Sequence, residues 1–215
     1  MITGQYHSIL QATKSVFSSL YETSKEPNDL ELIKESSAAI EVDLDNSESC
    51  IELQNHRFTY NLNYRDYFPY VDDKIIKLEL DYWYSEFIMP PRLNNLISYL
   101  KENRLSKRAI INFWDDKHRD LDTGAPCTTN MFFRVDGKRL NCHSHMRANN
   151  ASFLLFMDMH MLSGIQALVA KELGLKTGMY VHFVDSLHFY KKESENIDKQ
   201  YKFINESDIW KKVSI

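Results

Sequence analysis

A β-hairpin that leads into a long apolar helix dominates the second half of this sequence. The hairpin is predicted over residues 131–146, where two strand-like runs flank Asp136-Gly137, a pair typical of two-residue turns. The helix is predicted over residues 159–173, which carry an apolar stripe at helical spacing and end at Gly174, a common helix stop. Because strands and helices do not alternate regularly elsewhere, these elements favour an α+β fold over a doubly wound sheet.

The rest of the chain is predicted to form shorter elements within a single domain of 215 residues. Residues 23–49 are acidic and weakly patterned, which predicts an irregular insert. Residues 191–215 are mostly polar and are predicted to form a tail. Apolar spacing predicts the remaining elements, which are helices over 5–22 and 93–101 and strands within 50–62, 109–114 and 181–184.

The composition indicates a folded protein without a nucleic-acid surface. Hydrophobic residues make up 43% of the chain and aromatic residues 13%, which is enough for a sizeable core. The formal net charge of -4 offers no basic surface for phosphates, so DNA and RNA are not expected as partners. Three cysteines argue against a disulfide framework, and no apolar run is long enough to span a membrane. The first residues lack the apolar core of a signal peptide, so a cytoplasmic location is expected.

Cys127 is the first candidate for chemistry, and it lies just before the predicted hairpin in Ala125-Pro126-Cys127-Thr128. A lone cysteine is more often a small buried apolar residue than a nucleophile. A nucleophilic cysteine needs a positive neighbour that holds it as the thiolate. Arg147 can supply that charge, because it closes the far strand of the hairpin that Cys127 opens. The pattern by itself permits both roles.

Asp158 is the second candidate, because it interrupts the otherwise apolar run LLFMDMHML. An unpaired charge in such a run would be costly, so a specific partner is expected. Glu86 lies among aromatic residues, where a carboxylate is either at the surface or buried for a reason. No metal site is predicted, since no carboxylate or cysteine completes the spacing of His143 and His145.

Two further pairs carry polar groups that have ordinary structural explanations when taken singly. His188 and Tyr190 alternate along a strand-like run and are expected to share one side of it. Lys107-Arg108 precede a predicted buried strand, where a solvated entrance is the simplest interpretation.

Together these residues resemble the motifs of the thymidylate synthase family. Residues 125–162 resemble its Pro-Cys, hairpin, Gln-Arg-Ser and Pro-Phe-Asn segment. SKRAIINFW, at 106–114, resembles its Ser-Arg-Arg strand, and HFVDSLHFY, at 182–190, resembles its Gly-Asp-x-His-x-Tyr stretch. Residues 55–74 more loosely resemble the strand and Phe-Pro turn near the family's N-terminus. The resemblance implies a large twisted mixed sheet flanked by helices, with one sheet face used for dimerisation.

The resemblance also implies catalytic roles for residues of this sequence. Cys127 matches the nucleophile that adds to C6 of a pyrimidine nucleoside 5′-monophosphate. Arg147 matches the arginine that binds the 5′-phosphate beside the thiol. Glu86 matches, with a small shift, the glutamate that orders water and moves protons around the base.

Substrate contacts and a subunit arrangement follow from the same resemblance. His188 and Tyr190 match the pair that holds the sugar hydroxyl. Lys107 and Arg108 match a pair that reaches the phosphate of the neighbouring subunit. This match implies a homodimer with shared active sites, although a lysine in the first position lacks the bidentate fork of arginine.

Asp158 departs from the family's uracil enzymes, which have asparagine at the matching position. The deoxycytidylate hydroxymethylases of the family resemble this chain in having aspartate there. A carboxylate accepts hydrogen bonds from the exocyclic amine and protonated N3 of cytosine, but it repels O4 of uracil. The resemblance therefore implies that Asp158 reads cytosine and that the product is a 5-hydroxymethylated cytidylate.

Other departures from the family pattern leave open whether the substrate contains ribose or deoxyribose and which molecule donates the one-carbon unit. Ala148 replaces the family's usual serine on the phosphate, which opens room near the sugar and keeps both CMP and dCMP as candidates. Methylene-tetrahydrofolate is implied as the one-carbon donor, but Asn150 replaces an aspartate that contacts the pterin, and the folate-binding segment is largely missing. The alternatives are methylation of dUMP or UMP, as in thymidylate synthases, and a nucleotide-binding homologue with weakened catalysis.

Overall fold

A computed structural model describes most of the chain and resolves its helices and strands. The described residues are 1–23, 31–44, 51–54, 57–60, 64–70, 92–115 and 125–213. The strands are β1 Ile2–Tyr6, β2 Leu32–Asp43, β3 Ile51–Gln54, β4 Arg57–Tyr60, β5 Ile110–Asn112, β6 Thr128–Asp136, β7 Arg139–Asn150 and β8 Lys176–Tyr190. The helices are α1 Ile9–Thr23, α2 Arg92–Glu102, α3 Leu154–Glu172, α4 Ser194–Glu206 and α5 Asp208–Lys211, with 3₁₀ turns at Tyr64–Asp66 and Lys191–Glu193. The segment that contains Glu86 lies outside the described residues.

Six strands form one mixed sheet in the order β1-β2-β8-β7-β6-β5. Strand β8 pairs antiparallel with β2 on one side and parallel with β7 on the other. Strand β6 is antiparallel to both β7 and β5, while β1 is parallel to β2. Strands β3 and β4 form a separate antiparallel pair. The long central strands β7 and β8 therefore place their carboxyl-terminal ends side by side.

The helices cover one face of this sheet. Helix α3 packs against β7 and β8, and α1 packs against β1, β2 and α3. Along β7, buried residues such as Leu140 and Cys142 alternate with half-buried residues such as His143 and His145. This alternation indicates that one face of β7 lies on the core while the other is more open to solvent. The predicted α+β fold, with a mixed sheet flanked by helices, is confirmed.

The prediction of an irregular insert over 23–49 is wrong for the central part of this segment, because Leu32–Asp43 form β2. Ala38, Ile40 and Val42 are buried and alternate with more exposed residues, the pattern of a strand with one face on the core. Many residues around these three are charged, so the composition of the segment as a whole does not indicate a strand. Backbone pairing with β1 on one side and β8 on the other satisfies the polar groups of the strand and stabilises it.

The predicted polar tail from Lys191 instead forms α4 and α5. Ile197 and Ile204 are buried and lie two helical turns apart on one face of α4. Trp210 of α5 is also buried, and its Nε1 donates a hydrogen bond to the Tyr67 carbonyl at 3.1 Å. These few widely spaced apolar residues therefore pack a mostly polar segment against the rest of the protein.

The remaining predicted elements agree with the structure apart from their ends. The hairpin is confirmed, but Asp136 pairs with Arg139, so Gly137 and Lys138 form the turn. Gly137 has a φ of 58°, a conformation that favours glycine. Strand β8 extends well beyond the predicted 181–184. In the described part of the chain, no helix combines the length and apolarity needed to cross a membrane.

Candidate active site

Cys127 lies on the loop that enters β6, and its side chain is exposed. The end of β7 approaches this loop, where the Arg147 backbone N–H donates to the Cys127 carbonyl at 2.9 Å. Thr128 pairs with Met146 in the adjoining register of the hairpin. The hairpin therefore brings the backbones of Cys127 and Arg147 together, as the family resemblance implies.

The Arg147 side chain is fixed on the same loop. Its Nε donates to the Pro126 carbonyl at 3.3 Å, and its Nη2 donates to the Ala125 carbonyl at 3.0 Å. Trp114, at the end of β5, donates from Nε1 to the same Pro126 carbonyl at 3.0 Å. These bonds hold a guanidinium on the loop that carries the thiol. A fixed positive charge beside a cysteine favours the thiolate, so this arrangement suits a nucleophile.

His188 and Tyr190 lie near this pair, at the carboxyl-terminal end of β8. Their rings meet edge to face, with centroids 4.7 Å apart. Burial raises the pKa of Tyr190, and the charges of Cys127 and Glu193 raise it further, while Arg147 opposes them. The parallel register of β7 and β8 pairs Asn150 with His188, so the end of β8 lies beside the segment of β7 that follows Arg147.

Asp158 lies on α3 and is 5% exposed. Burial is the main cause of the raised pKa of Tyr180 on β8, and the Asp158 charge also contributes to it. Asp158 is one of the buried residues of α3, the helix that packs on β7 and β8. A buried carboxylate is costly unless it makes specific interactions, so the specific partner expected for Asp158 stays a prediction.

Lys107 and Arg108 are exposed and lie at the start of β5. The next residue, Ala109, pairs through its carbonyl with the N–H of Phe133 at 2.9 Å. Phe133 is well along β6 from the loop of Cys127. A single chain therefore does not bring Lys107 and Arg108 to its own Cys127.

Asn150, the residue expected to contact a pterin, is hydrogen-bonded at both ends of its amide. Its Nδ2 donates to Glu193 Oε2 at 2.8 Å, and its Oδ1 accepts from the Ser152 N–H at 2.9 Å. Ser152 Oγ also donates to Glu193 at 3.3 Å. These bonds tie the end of β7 to the turn after β8, so the amide is engaged within the protein.

A buried polar network near the site was not anticipated from the sequence. His182 Nδ1 lies 2.8 Å from Tyr180 Oη and 3.0 Å from Ser144 Oγ, and Asn149 Nδ2 lies 3.3 Å from His182 Nε2. Burial lowers the pKa of His182 to about 3, so its ring is neutral at ordinary pH. The residues come from two strands that pair only in the folded sheet, so no local pattern indicates the network. Within the described residues, no cluster of metal-binding side chains is present.

Comparison with known proteins identifies relatives over the second half of the chain. The family model described as thymidylate synthase matches residues 89–207. The thymidylate synthase of Mycoplasma pneumoniae is 29% identical over 109 residues, which cover 51% of this chain and 38% of that protein. The thymidylate synthase of Streptococcus suis is 27% identical over 112 residues, which cover 50% of this chain and 40% of that protein. The chain thus matches about two fifths of the length of these curated relatives.

A solved structure extends the likeness to almost the whole chain. The thermostable thymidylate synthase A from Bacillus subtilis superposes with a TM-score of 0.63 and 13% sequence identity. The superposition covers 91% of this chain and 84% of that structure. At this identity the likeness concerns the fold, and it agrees with the mixed sheet described above.

Proposed function

Since the chain belongs to the thymidylate synthase family, we propose that it transfers a one-carbon unit to C5 of a pyrimidine nucleoside 5′-monophosphate. The observation that carries this proposal is the position of four groups at the carboxyl-terminal ends of β7 and β8, which pair in parallel, and on the loop bonded to Arg147. These are the exposed Cys127, the Arg147 guanidinium fixed on its loop, and the His188–Tyr190 pair. Each of them has a distinct task in such a reaction.

Cys127 acts as the nucleophile. Its thiolate forms a bond to C6 of the pyrimidine, and the electron pair of the C5–C6 double bond moves to C5, which becomes electron-rich. Arg147 favours the thiolate and binds the 5′-phosphate, because its guanidinium offers five donors in a planar fork. Bonds from Arg147 to two loop carbonyls support this role, because they hold the guanidinium in place before a ligand arrives.

His188 and Tyr190 hold the sugar. Both carry groups that can donate and accept hydrogen bonds, which suits a hydroxyl ligand. Their edge-to-face contact restrains both rings, so the pocket is organised in advance. Ala148 lies beside Ser186 in the register of β7 and β8, close to this pair. Its small side chain leaves room there, so both CMP and dCMP are proposed as substrates.

Asp158 selects cytosine over uracil. Its burial supports this assignment, because a buried acceptor discriminates strongly between a donor and another acceptor. The proposed product is the 5-hydroxymethylated cytidylate. After C5 has taken up the carbon unit and lost its proton, water adds to the exocyclic methylene as Cys127 leaves C6. Glu86, which we propose to order that water, lies outside the described residues.

Methylene-tetrahydrofolate would supply the carbon unit at the oxidation level of formaldehyde. Asn150 uses one N–H donor and one oxygen lone pair of its amide on Glu193 and Ser152, and these contacts do not by themselves indicate a pterin site. The donor is therefore proposed from family membership alone.

A homodimer with shared sites is part of the same proposal. Lys107 and Arg108 are exposed and distant from the Cys127 loop of their own chain, which supports a role in the phosphate site of a second copy. The half-buried face of β7 would form the contact between the two copies.

The second candidate function is methylation of a uridylate at C5. It is favoured by the similarity to proteins named thymidylate synthase. Both functions use the same Cys127 chemistry and differ in the base and in the fate of the methylene.

Release of tritium from C5 separates these functions. CMP, dCMP, UMP and dUMP labelled at C5 are incubated with the protein, with and without methylene-tetrahydrofolate, and the products are identified by mass. Donor-dependent release from a cytidylate, with a hydroxymethylated product, is the expected result. Release from a uridylate alone supports the second candidate, and no release from any nucleotide indicates a binding protein.

A further inference from the structure

A carboxylate on β2 reaches the base of the proposed sugar pocket. Glu35 is exposed on β2 and lies directly opposite His188 in the antiparallel register of β2 and β8. Ser186, two residues before His188 on β8, donates from Oγ to Glu35 Oε1. The three side chains therefore lie together on one part of the sheet, although Glu35 is 151 residues away from Ser186 in sequence.

The hydrogen bonds of His188 define which of its ring nitrogens carries the proton. Nδ1 lies 3.0 Å from the Ser186 backbone carbonyl, which can only accept. Nδ1 must therefore be the donor in this bond. Ser186 Oγ lies 3.2 Å from the same nitrogen. Because the hydroxyl hydrogen of Ser186 is directed to Glu35, its oxygen presents a lone pair to the Nδ1 hydrogen.

A continuous donor chain follows from these contacts, running from His188 to Ser186 and on to Glu35. An ionised carboxylate can only accept hydrogen bonds. Glu35 therefore fixes the donor-to-acceptor direction of this series of hydrogen bonds. Without Glu35, the Ser186 hydroxyl could rotate and turn its hydrogen elsewhere. In a neutral imidazole with Nδ1 protonated, Nε2 is the acceptor nitrogen.

We infer that Glu35 is a positioning residue that acts through Ser186 to strengthen the Nδ1–H tautomer of His188, which the Ser186 carbonyl already favours, so that His188 accepts a hydrogen bond from a sugar hydroxyl. The sugar part of this inference rests on the proposed function. It assigns a role to the first residues of β2, which pair with the end of β8. It also specifies that the ligand's hydroxyl is the donor in its bond to His188.

The first test concerns the ligand-free protein. Nitrogen-15 NMR of labelled histidine rings reports directly which nitrogen of His188 is protonated. The wild type is expected to show protonated Nδ1 at pH 7.5. Glu35→Ala and Ser186→Ala are each expected to add a minor Nε2–H population, because the Ser186 carbonyl remains as an acceptor for Nδ1–H. Glu41→Ala is the matched control, because it removes the same charge from the same strand at a residue that pairs with Val181 instead. The inference would be overturned if the wild-type ring is protonated mainly at Nε2. It would also be overturned if neither substitution changes the ratio of the Nδ1–H and Nε2–H populations.

The second test measures nucleotide binding by calorimetry. Glu35→Ala and Ser186→Ala should each weaken CMP or dCMP by about two- to tenfold, the range expected for one hydrogen bond. Binding of 2′,3′-dideoxycytidine 5′-monophosphate, which lacks the sugar hydroxyls, should not change. The double variant should bind no more weakly than Ser186→Ala alone, because Glu35 acts through Ser186.

Other outcomes of the binding test are equally informative. Equal weakening of the dideoxynucleotide, or additive effects of the two substitutions, would show that Glu35 supports the fold generally and would overturn the inference. If the wild type binds none of the nucleotides, the proposed function fails. The NMR result then decides by itself whether Glu35 strengthens the Nδ1–H tautomer of His188.

Discussion

The two described cysteines lie in different surroundings, and we expect their reactivity to differ accordingly. Cys127 is exposed on a loop that also holds a guanidinium. Cys142 is buried in β7, and burial raises the pKa of its thiol well above the ordinary value. A thiolate is the reactive form, so only Cys127 has surroundings that suit a nucleophile.

Cys127→Ser is therefore expected to reduce turnover by about a thousandfold or more, because a serine hydroxyl does not ionise near neutral pH. Nucleotide affinity should stay within a few-fold of the wild type, since the phosphate and sugar contacts remain. Tritium release and calorimetry measure the two quantities. Cys142→Ala is the control and should retain turnover at a small cost in stability. Turnover retained in Cys127→Ser would exclude covalent catalysis by this residue.

Asp158→Asn is expected to shift the base preference from cytosine towards uracil. An acceptor that faces another acceptor in a buried site costs about 1–3 kcal/mol, which corresponds to about five- to 150-fold in affinity. Titration of both proteins with CMP, dCMP, UMP and dUMP gives the cytosine-to-uracil ratio directly. If Asp158 serves only an internal partner, thermal stability will fall while this ratio stays the same.

At the scale of elements, long and regular segments were predictable and short or mixed ones were not. Helix α3 and the hairpin carry strong local signals, and both are confirmed. Strand β2 was missed because its buried residues are few and its stability comes from pairing on both sides. The candidate site divides in the same way. Cys127 and Arg147 lie on one hairpin, whereas Glu35 approaches His188 only through the sheet.

Helix α3 also contains a histidine that reduces its stability. His160 is buried against Phe156, with ring centroids 4.4 Å apart, and within the described chain neither ring nitrogen has a hydrogen-bond partner. Burial lowers the pKa of His160 to about 3. Its unfolded value is about 6.5, so protonation favours the unfolded state as the pH falls below that value.

His160→Leu is expected to raise the free energy of unfolding by about 1 kcal/mol at pH 7.5, since it removes an unsatisfied buried polar group. Between pH 7.5 and 5 the variant should lose about 2 kcal/mol less than the wild type, because one titrating group is gone. Urea unfolding at both values measures the change. His182→Leu removes a similar titration but breaks hydrogen bonds, so it should destabilise at pH 7.5. A pH dependence of His160→Leu equal to that of the wild type would contradict the assignment.

At the scale of the whole molecule, the open side of the sheet carries aromatic surface. Phe132 is 36% exposed, and His145 stacks on Phe183 with ring centroids 4.8 Å apart. Exposed apolar surface of this kind is common where proteins associate. Within one chain, Lys107 and Arg108 are too far from the Cys127 loop to reach its site. In a dimer formed through this face, they would reach the site of the second copy.

Mixed dimers test this arrangement. Chains with Cys127→Ser and chains with Arg108→Ala should each have little activity when alone. If Arg108 completes the partner's site, a mixed dimer contains one intact site, made by Cys127 of one chain and Arg108 of the other. An equal mixture should then regain about a quarter of the wild-type sites, because half of the dimers are mixed and each has one intact site of two. Two affinity tags isolate the mixed dimers. A chain with both substitutions is the control, since its mixture with either single variant has no intact site. Mixed dimers without activity would show that Arg108 serves its own chain.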